Sequence, residues 1–253
     1  MVKVIMHGCN GKMGQVITRL AAADPELAIV AGVDARAQAL NDYPVFGDIS
    51  ECDVEADVVI DFSNAAAVDH LLDWCQEKQM PVVLCTTGLS GEQLQRVEEA
   101  AGRTAVLKSA NMSLGVNLLM KLLQDAAKVL APEGFDMEIV ERHHNQKVDA
   151  PSGTAKLLLE AIDPDHAYTP VYGRQGNCGR RSPREIGVHA LRGGTEAGTH
   201  TVSFFGVDEV FEITHRAASR QIFVNGALHM ARKLCRMPRG RYDLQDILFG
   251  GQQ

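Results

Sequence analysis

The sequence predicts an α/β fold, a doubly wound parallel sheet accompanied by an α+β domain. Three observations carry this. A short apolar strand at the start of the chain runs into a glycine-rich turn and then a helical stretch. Strand and helix patterns alternate as far as residue 112. Beyond it the order changes to a long helix followed by consecutive strands with short turns, the grammar of a mixed or antiparallel sheet.

Val2–Met6 reads as a buried strand, and Gly8-Cys9-Asn10-Gly11-Lys12-Met13-Gly14 as the turn that follows, leading into a helix from Gln15 to Ala23. Glycines here stand at the first, fourth and seventh positions of the turn. Their physical use is that of a dinucleotide-binding turn: a sharp bend, close approach of a pyrophosphate, and tight helix–strand packing. A second strand, Ala28–Val33, ends at Asp34, twenty residues after Gly14. That is where an acid bonds the adenosine ribose hydroxyls. Arg36 lies close enough to offset its repulsion of a 2′-phosphate.

Further strands are expected at Asp57–Phe62, at Pro81–Gly88 and at Thr104–Lys108. Helices are expected at Ala65–Lys78, after the cap-like Ser63 and Asn64, and at Glu92–Ala101, which Ser90 and Gln93 open with capping-box spacing. Such βαβ alternation implies a Rossmann-type sheet with ligands at the carboxyl ends of its strands. Polar turns fall at those ends: Phe62-Ser63, Thr86-Thr87-Gly88 and Ala110-Asn111-Met112. As a set they read as a nicotinamide and substrate rim.

A helix at Leu114–Leu130 opens the second part, and a strand at Phe135–Arg142 follows it. Gly153–Ala161 is helical, Asp163–Pro183 reads as a long loop, and Ile186–Leu191, Thr199–Phe205 and Val210–His215 read as strands. Helix returns from Ser219, and the Tyr242–Phe249 tail is expected to pack back on the first domain.

Composition narrows the function. The chain has 253 residues and a formal net charge of −7, enough for one large domain or two modest ones with real cores. No basic block suggests nucleic acid, and no basic amphipathic helix suggests a membrane surface. There is no apolar run of about eighteen residues and no signal peptide, so a cytoplasmic protein is expected. The six cysteines are scattered without a Cys-x-x-Cys pair, which argues against zinc, or any metal, and against a disulfide framework.

The densest chemistry lies in Glu141–Ala155, which brings His143, His144 and Lys147 beside the helix start Pro151-Ser152-Gly153-Thr154. Exposed N–H groups at a helix start, with the positive end of its dipole, suit a carboxylate or phosphate. Adjacent strand residues point to opposite faces. Either the strand ends near Arg142 or one of the two histidines is structural; the first arrangement is the one expected.

These segments resemble the dihydrodipicolinate reductase family along the whole chain. The resemblance rests on Gly8-x-x-Gly11-x-Met13-Gly14, Thr86-Thr87-Gly88, Ala110-Asn111-Met112-Ser113 and, most specifically, Glu141-x-x-His143-His144-x-x-Lys147-x-Asp149-x-Pro151-Ser152-Gly153-Thr154-Ala155. Gly193-Gly194-x-x-x-Gly198-x-His200-Thr201-Val202 and Glu212-Ile213-Thr214-His215 also match. Cys85 stands where the family has glycine before Thr-Thr-Gly, and Ala35 where NADPH-preferring members carry arginine.

The resemblance implies a dinucleotide-binding domain (1–112), an inserted α+β domain for substrate binding and tetramerisation (113–218), and a return to the first domain (219–253). It implies NAD(P)H-dependent reduction of 4-hydroxy-tetrahydrodipicolinate, a cyclic imine dicarboxylate of lysine and diaminopimelate biosynthesis, by a homotetramer. It makes His143 and Lys147 catalytic, and His144, Lys147, Gly153 and Thr154 substrate-binding. Gly8, Asn10, Gly11, Lys12, Met13, Gly14, Asp34, Arg36, Phe62, Thr86, Thr87, Gly88, Ala110, Asn111 and Met112 are then the cofactor-binding residues. With Asp34 followed by Ala35, NADH should serve at least as well as NADPH. Three other readings stay open: another imine or aldehyde reductase, a semialdehyde dehydrogenase with an acylated cysteine, and a non-catalytic NAD(H)-sensing regulator.

Overall fold

The structure is a computed structural model and describes residues 1–250. In chain order its elements are β1 (Val2–His7), α1 (Lys12–Ala22), β2 (Leu27–Val33), β3 (Val45–Phe46), β4 (Val58–Asp61), α2 (Ala65–Lys78), β5 (Val82–Leu84), α3 (Gly91–Ala101), β6 (Ala105–Leu107) and α4 (Leu114–Leu130). Then come β7 (Asp136–His143), α5 (Gly153–Ile162), β8 (Thr169–Tyr172), β9 (Glu185–Arg192), β10 (Gly198–Phe205), β11 (Val210–Ala217), α6 (Gln221–Leu234), β12 (Gly240–Tyr242) and α7 (Leu244–Phe249). The chain forms two compact units, Met1–Ser113 together with the segment from Gln221, and Leu114–Arg220.

The first unit is a seven-stranded parallel sheet in the order β12-β6-β5-β4-β1-β2-β3. Its direction of winding reverses between β1 and β4, which makes a switch point at their carboxyl ends. The strands are near-continuous apolar runs because helices cover both faces. Ile5, Val59, Val82 and Val106 pack with Leu71 and Trp74 of α2 and Val97 of α3. Helix α6 lies against β4, β5 and β6, beside α1. The helix starts are chemically marked: the Asn64 side chain accepts from the Ala66 N–H, and Ser90 and Gln93 form the expected capping box.

The second unit holds a five-stranded mixed sheet in the order β11-β10-β7-β9-β8. Strand β10 is antiparallel to β7 and β11, while β7, β9 and β8 run parallel. Helices α4 and α5 cover one face, where Leu119, Leu123 and Leu158 meet Met137, Ile139, Val188, Val202 and Phe204. The opposite face is mixed: the Thr201 and Thr214 hydroxyls lie 2.9 Å apart and Ser203 donates to Glu212 at 2.7 Å, while Leu191, Phe205 and Val210 are exposed on it.

One expectation needs correction. The stretch 163–183 is not one loop, since Thr169–Tyr172 forms β8. It is an edge strand and carries Pro170, which an edge tolerates. Arg174 and Arg181 anchor the chain beyond it on Glu138 and Glu185. The tail from Gly240 adds β12 to the sheet edge, in register with β6. Strand β7 runs one residue past Arg142 and includes His143. Among the described residues no helix is long and apolar enough to cross a membrane.

Gly226 is what lets α6 lie close: a Cβ there would stand 1.7 Å from the Met112 carbonyl oxygen. Alanine is the better helix former by about 1 kcal/mol, but the overlap forces helix and strand end apart. Gly226→Ala is therefore expected to cost a net ~1–3 kcal/mol. At ~2–4 °C per kcal/mol that lowers the unfolding midpoint by roughly 2–12 °C. Scanning calorimetry checks it, and an unchanged or higher midpoint would show that the backbone absorbs the methyl group.

Candidate active site

In the first unit the site is built on the turn after β1. Gly8 has φ +81°, and a Cβ there would meet the Phe62 carbonyl oxygen at 2.7 Å. A Cβ on Gly14, in the first turn of α1, would stand 2.3 Å from the Gly8 carbonyl oxygen. Only glycines permit this cradle. Helix α1 starts after Gly11 with no side-chain cap and no acid in its first turn. Its N–H groups around Lys12 and Met13 and its positive dipole end are thus left for an anion. Asp34 accepts from the N–H groups of Asn10 and Arg36, each at 3.1 Å. The Asn10 amide donates to the carbonyls of Arg36 at 2.8 Å and Gln38 at 3.0 Å. These bonds lace the glycine turn to the loop after β2. A cleft of about 440 Å³ lies there, lined by Gly8, Gly11, Asp34, Ala35, Phe62 and His70 among others.

Polar groups crowd the carboxyl ends of β1, β4, β5 and β6. Asp61 is fully buried and accepts from His7 Nδ1 at 2.7 Å and from the Ser63 hydroxyl at 2.6 Å. Burial pushes its carboxyl up, but bonds and charge from His7, with Ser63 and Thr86, outweigh that and hold it below the usual carboxylate range. Ser63 Oγ lies 3.5 Å from Thr86 Oγ1, and Lys108 Nζ donates to the Thr86 carbonyl at 2.8 Å. Thr87, Gly88 and Ala110 are exposed beyond them, while Asn111 and Met112 are buried.

In the second unit the centre is Glu141, which has no exposed surface. It shares a strand face with His143, two residues on. Its Oε2 accepts from His143 Nδ1 at 2.5 Å and from Arg192 Nη1 at 2.8 Å. Its Oε1 accepts from Arg192 Nη2 at 2.8 Å and from the Ser152 N–H at 2.9 Å. Burial pushes this carboxyl up, yet the bonds from Arg192, His143 and Ser152 outweigh that and hold it below the usual range.

His143 is buried, with its ring edge-on to His200 at 5.2 Å. Since Nδ1–H goes to the carboxylate, Nε2 is the nitrogen left to act. It faces Gly198, where a Cβ would stand 3.1 Å away. His144 lies beyond the strand, and its carbonyl accepts from the Lys147 N–H at 3.2 Å. Lys147 Nζ donates to Asp149 at 2.7 Å. Ser152 caps α5 by accepting from the Ala155 N–H, and its hydroxyl lies 3.0 Å from His200 Nε2. Gly153 is exposed, with open space where a Cβ would stand, and Thr154 follows it in the first turn.

Glu141, Ser152, Arg192 and His200 are site residues to which the sequence assigns no role. The Glu141/His143 spacing was the one local signal, because it puts both on one strand face. Arg192 lies 51 residues from Glu141, and nothing local announces it. His7, Asp61 and Lys108 carry a subtler mark, a polar residue directly at the end of an apolar strand. Among the described residues no group of three or more His, Cys, Asp or Glu is arranged to hold a metal ion.

Family models described as "Dihydrodipicolinate reductase, N-terminus" and "Dihydrodipicolinate reductase, C-terminus" match residues 2–112 and 115–248. A relative from Caldanaerobacter subterraneus, named 4-hydroxy-tetrahydrodipicolinate reductase, is 49% identical over 99% of this chain and 100% of its own. One of the same name from Clostridium tetani is 45% identical over 98% of this chain and 97% of its own. The solved structure "Dipicolinate bound Dihydrodipicolinate reductase from Paenisporosarcina sp. TG-14" has the same fold, with TM-score 0.82 and 24% identity, over 98% of this chain and 100% of that one.

His200 carries a pH signature. Burial, then the neighbouring His143 charge, lowers its pKa to about 4, against ~6.5 in an unfolded chain. Between those values the unfolded state binds the extra proton, so stability is full above pH ~6.5 and is lost as pH falls toward 4. Between pH 7 and 4.5, about two units below the unfolded pKa, the loss is expected to be on the order of 2–3 kcal/mol at 1.36 kcal/mol per unit. Urea unfolding of wild type and His200→Asn at pH 7 and 4.5 measures it. Equal pH slopes in the two proteins would show that His200 is not held neutral.

Proposed function

The chain belongs to the dihydrodipicolinate reductase family, and from that premise we propose that it reduces 4-hydroxy-tetrahydrodipicolinate with NAD(P)H. The product is the tetrahydrodipicolinate of lysine and diaminopimelate biosynthesis. Relatives of 45–49% identity carry the name of this activity, and the dipicolinate named in a structural relative supports a cyclic dicarboxylate. On this chain the carrying observation is the Glu141–His143 pair, which fixes one imidazole nitrogen and leaves the other to exchange a proton.

We assign cofactor binding to the first unit. The glycine cradle and the uncapped start of α1 fit a pyrophosphate, and Asp34 retains lone pairs for ribose hydroxyls after its two backbone bonds. The Thr86–Gly88 and Ala110–Met112 turns are the nicotinamide side. When bound, the nicotinamide supplies a hydride. The remaining tasks, holding a dianion and moving a proton, fall to the second unit.

In an acidic protein, positive potential must be concentrated locally for a dianionic substrate. The Gly153 and Thr154 amides, the Thr154 hydroxyl, His144 and Lys147 are the groups we assign to its carboxylates. The partner of Lys147, Asp149, is half exposed, so a substrate carboxylate can take its place. His143 Nε2 and the Lys147 ammonium are the proton sources for the reduced imine. Six free cysteines agree with a reducing cytoplasm. The open face of the second unit's sheet, with Leu191, Phe205 and Val210 exposed among its polar groups, is the surface we assign to a homotetramer, and light scattering at four chain masses is the expected result.

A steady-state assay with enzymatically generated substrate tests the reading. NADH is expected to serve at least as well as NADPH, because Asp34 disfavours a 2′-phosphate and Ala35 supplies no charge for one. A preference for NADPH above about tenfold, ~1.4 kcal/mol, would overturn that part. Lys147→Ala should lower kcat by roughly 10²–10⁴ while the NADH dissociation constant stays the same. Unchanged turnover at saturating substrate would remove Lys147 from the mechanism, and no turnover by wild type with either cofactor would reject the activity.

A further inference from the structure

We propose that Lys108 is a positioning residue for the nicotinamide half of the cofactor: it holds the Thr86–Thr87 peptide so that the Thr87 N–H is presented to a carboxamide. The inference rests on the proposed cofactor site and goes beyond it, because Lys108 touches no ligand in this arrangement. Lys108 follows β6 directly, is half buried, and donates from Nζ to the Thr86 carbonyl at 2.8 Å on the neighbouring strand end. This peptide is trans, since Ala150–Pro151 is the cis bond among the described residues. In a trans peptide the C=O and N–H point in opposite directions. Fixing the carbonyl toward Lys108 therefore aims the Thr87 N–H away from it. That side is open: Thr87 is exposed, and Gly88, at φ +75°, has no atom within 4 Å of where a Cβ would stand. A cation on the carbonyl also polarises the peptide and strengthens its N–H as a donor.

Lys108 is not an isolated surface cation. It ends a row that runs across four neighbouring strands, from His7 to Asp61, Ser63, Thr86 and Lys108. The Asp61 carboxylate supports its charge, while burial and Arg241 oppose it and lower its pKa. Partial burial of a lysine with a neutral carbonyl as its hydrogen-bond partner is a costly arrangement. A fixed turn accounts for it.

The test compares two ligands that share every part except the nicotinamide. Dissociation constants for NADH and ADP-ribose are measured by titration calorimetry on wild type, Lys108→Met and Lys108→Gln, with melting temperatures alongside. Lys108→Met should weaken NADH about two- to tenfold, the worth of the one neutral hydrogen bond from the Thr87 N–H to the carboxamide, and leave ADP-ribose unchanged within error. The turnover assay should show the loss in cofactor KM more than in kcat. Lys108→Gln keeps a donor without the charge, and should show a smaller selective loss if the methionine variant does not fold. An unchanged ratio of the two constants, whether neither ligand or both weaken, would overturn the role of Lys108. Failure of wild type to bind NADH at all would instead reject the cofactor site on which the role rests.

Discussion

A carboxylate with no access to water has to be neutralised where it stands. Glu141 is that group in the second unit, and much of the local architecture answers to it. Stripping an ion of water costs several kcal/mol, and only close, well-aligned partners offset the cost. Arg192 meets it with both terminal nitrogens, His143 with Nδ1 and Ser152 with its N–H. Those partners come from the end of β9, the end of β7 and the start of α5. One buried charge thereby ties together three chain segments and sets the tautomer of the imidazole proposed to move a proton. The arrangement is coherent only as a whole, since each partner removed leaves charge uncompensated.

The first unit meets a similar requirement with different means. Its turn after β1 is shaped by what is missing: side chains at Gly8 and Gly14 would occupy the positions of neighbouring carbonyls. The anion that such a cradle takes is held by backbone dipoles, so the specific side chains nearby are free for alignment. Asn10 and Asp34 do this by joining the turn to the loop after β2. The buried His7–Asp61 pair does it below the strand ends.

Periodicity made the parallel sheet legible, because strands buried on both faces are apolar throughout and two of their connecting helices, α2 and α3, are capped by recognisable residues. It failed where stability has other sources. Strand β8 contains a proline, and the chain after it is anchored through arginine pairs, so no apolar alternation marks it. Strand β12 is three residues joined to an edge by backbone bonds. In the candidate site, residue types that titrate near neutrality stood out in the sequence as His143, His144 and Lys147. What organises them did not, because Arg192 and His200 approach through sheet pairing between distant segments. The two histidines separate as strand geometry requires: His143 turns inward beside Glu141, and His144 falls on the turn beyond the strand.

The first unit closes on its own late residues. Strand β12 forms the edge beside β6, and α6 needs the Met112 carbonyl for its seat, yet both elements follow the whole of the second unit in the chain. As the polypeptide leaves the ribosome, Leu114–Arg220 is complete and contiguous while the first unit still lacks an edge strand and a covering helix. Apolar sheet surface around β4, β5 and β6 then waits uncovered through the translation of more than a hundred residues, roughly 5–20 s at ordinary elongation rates. The unit made first is thus the one finished last.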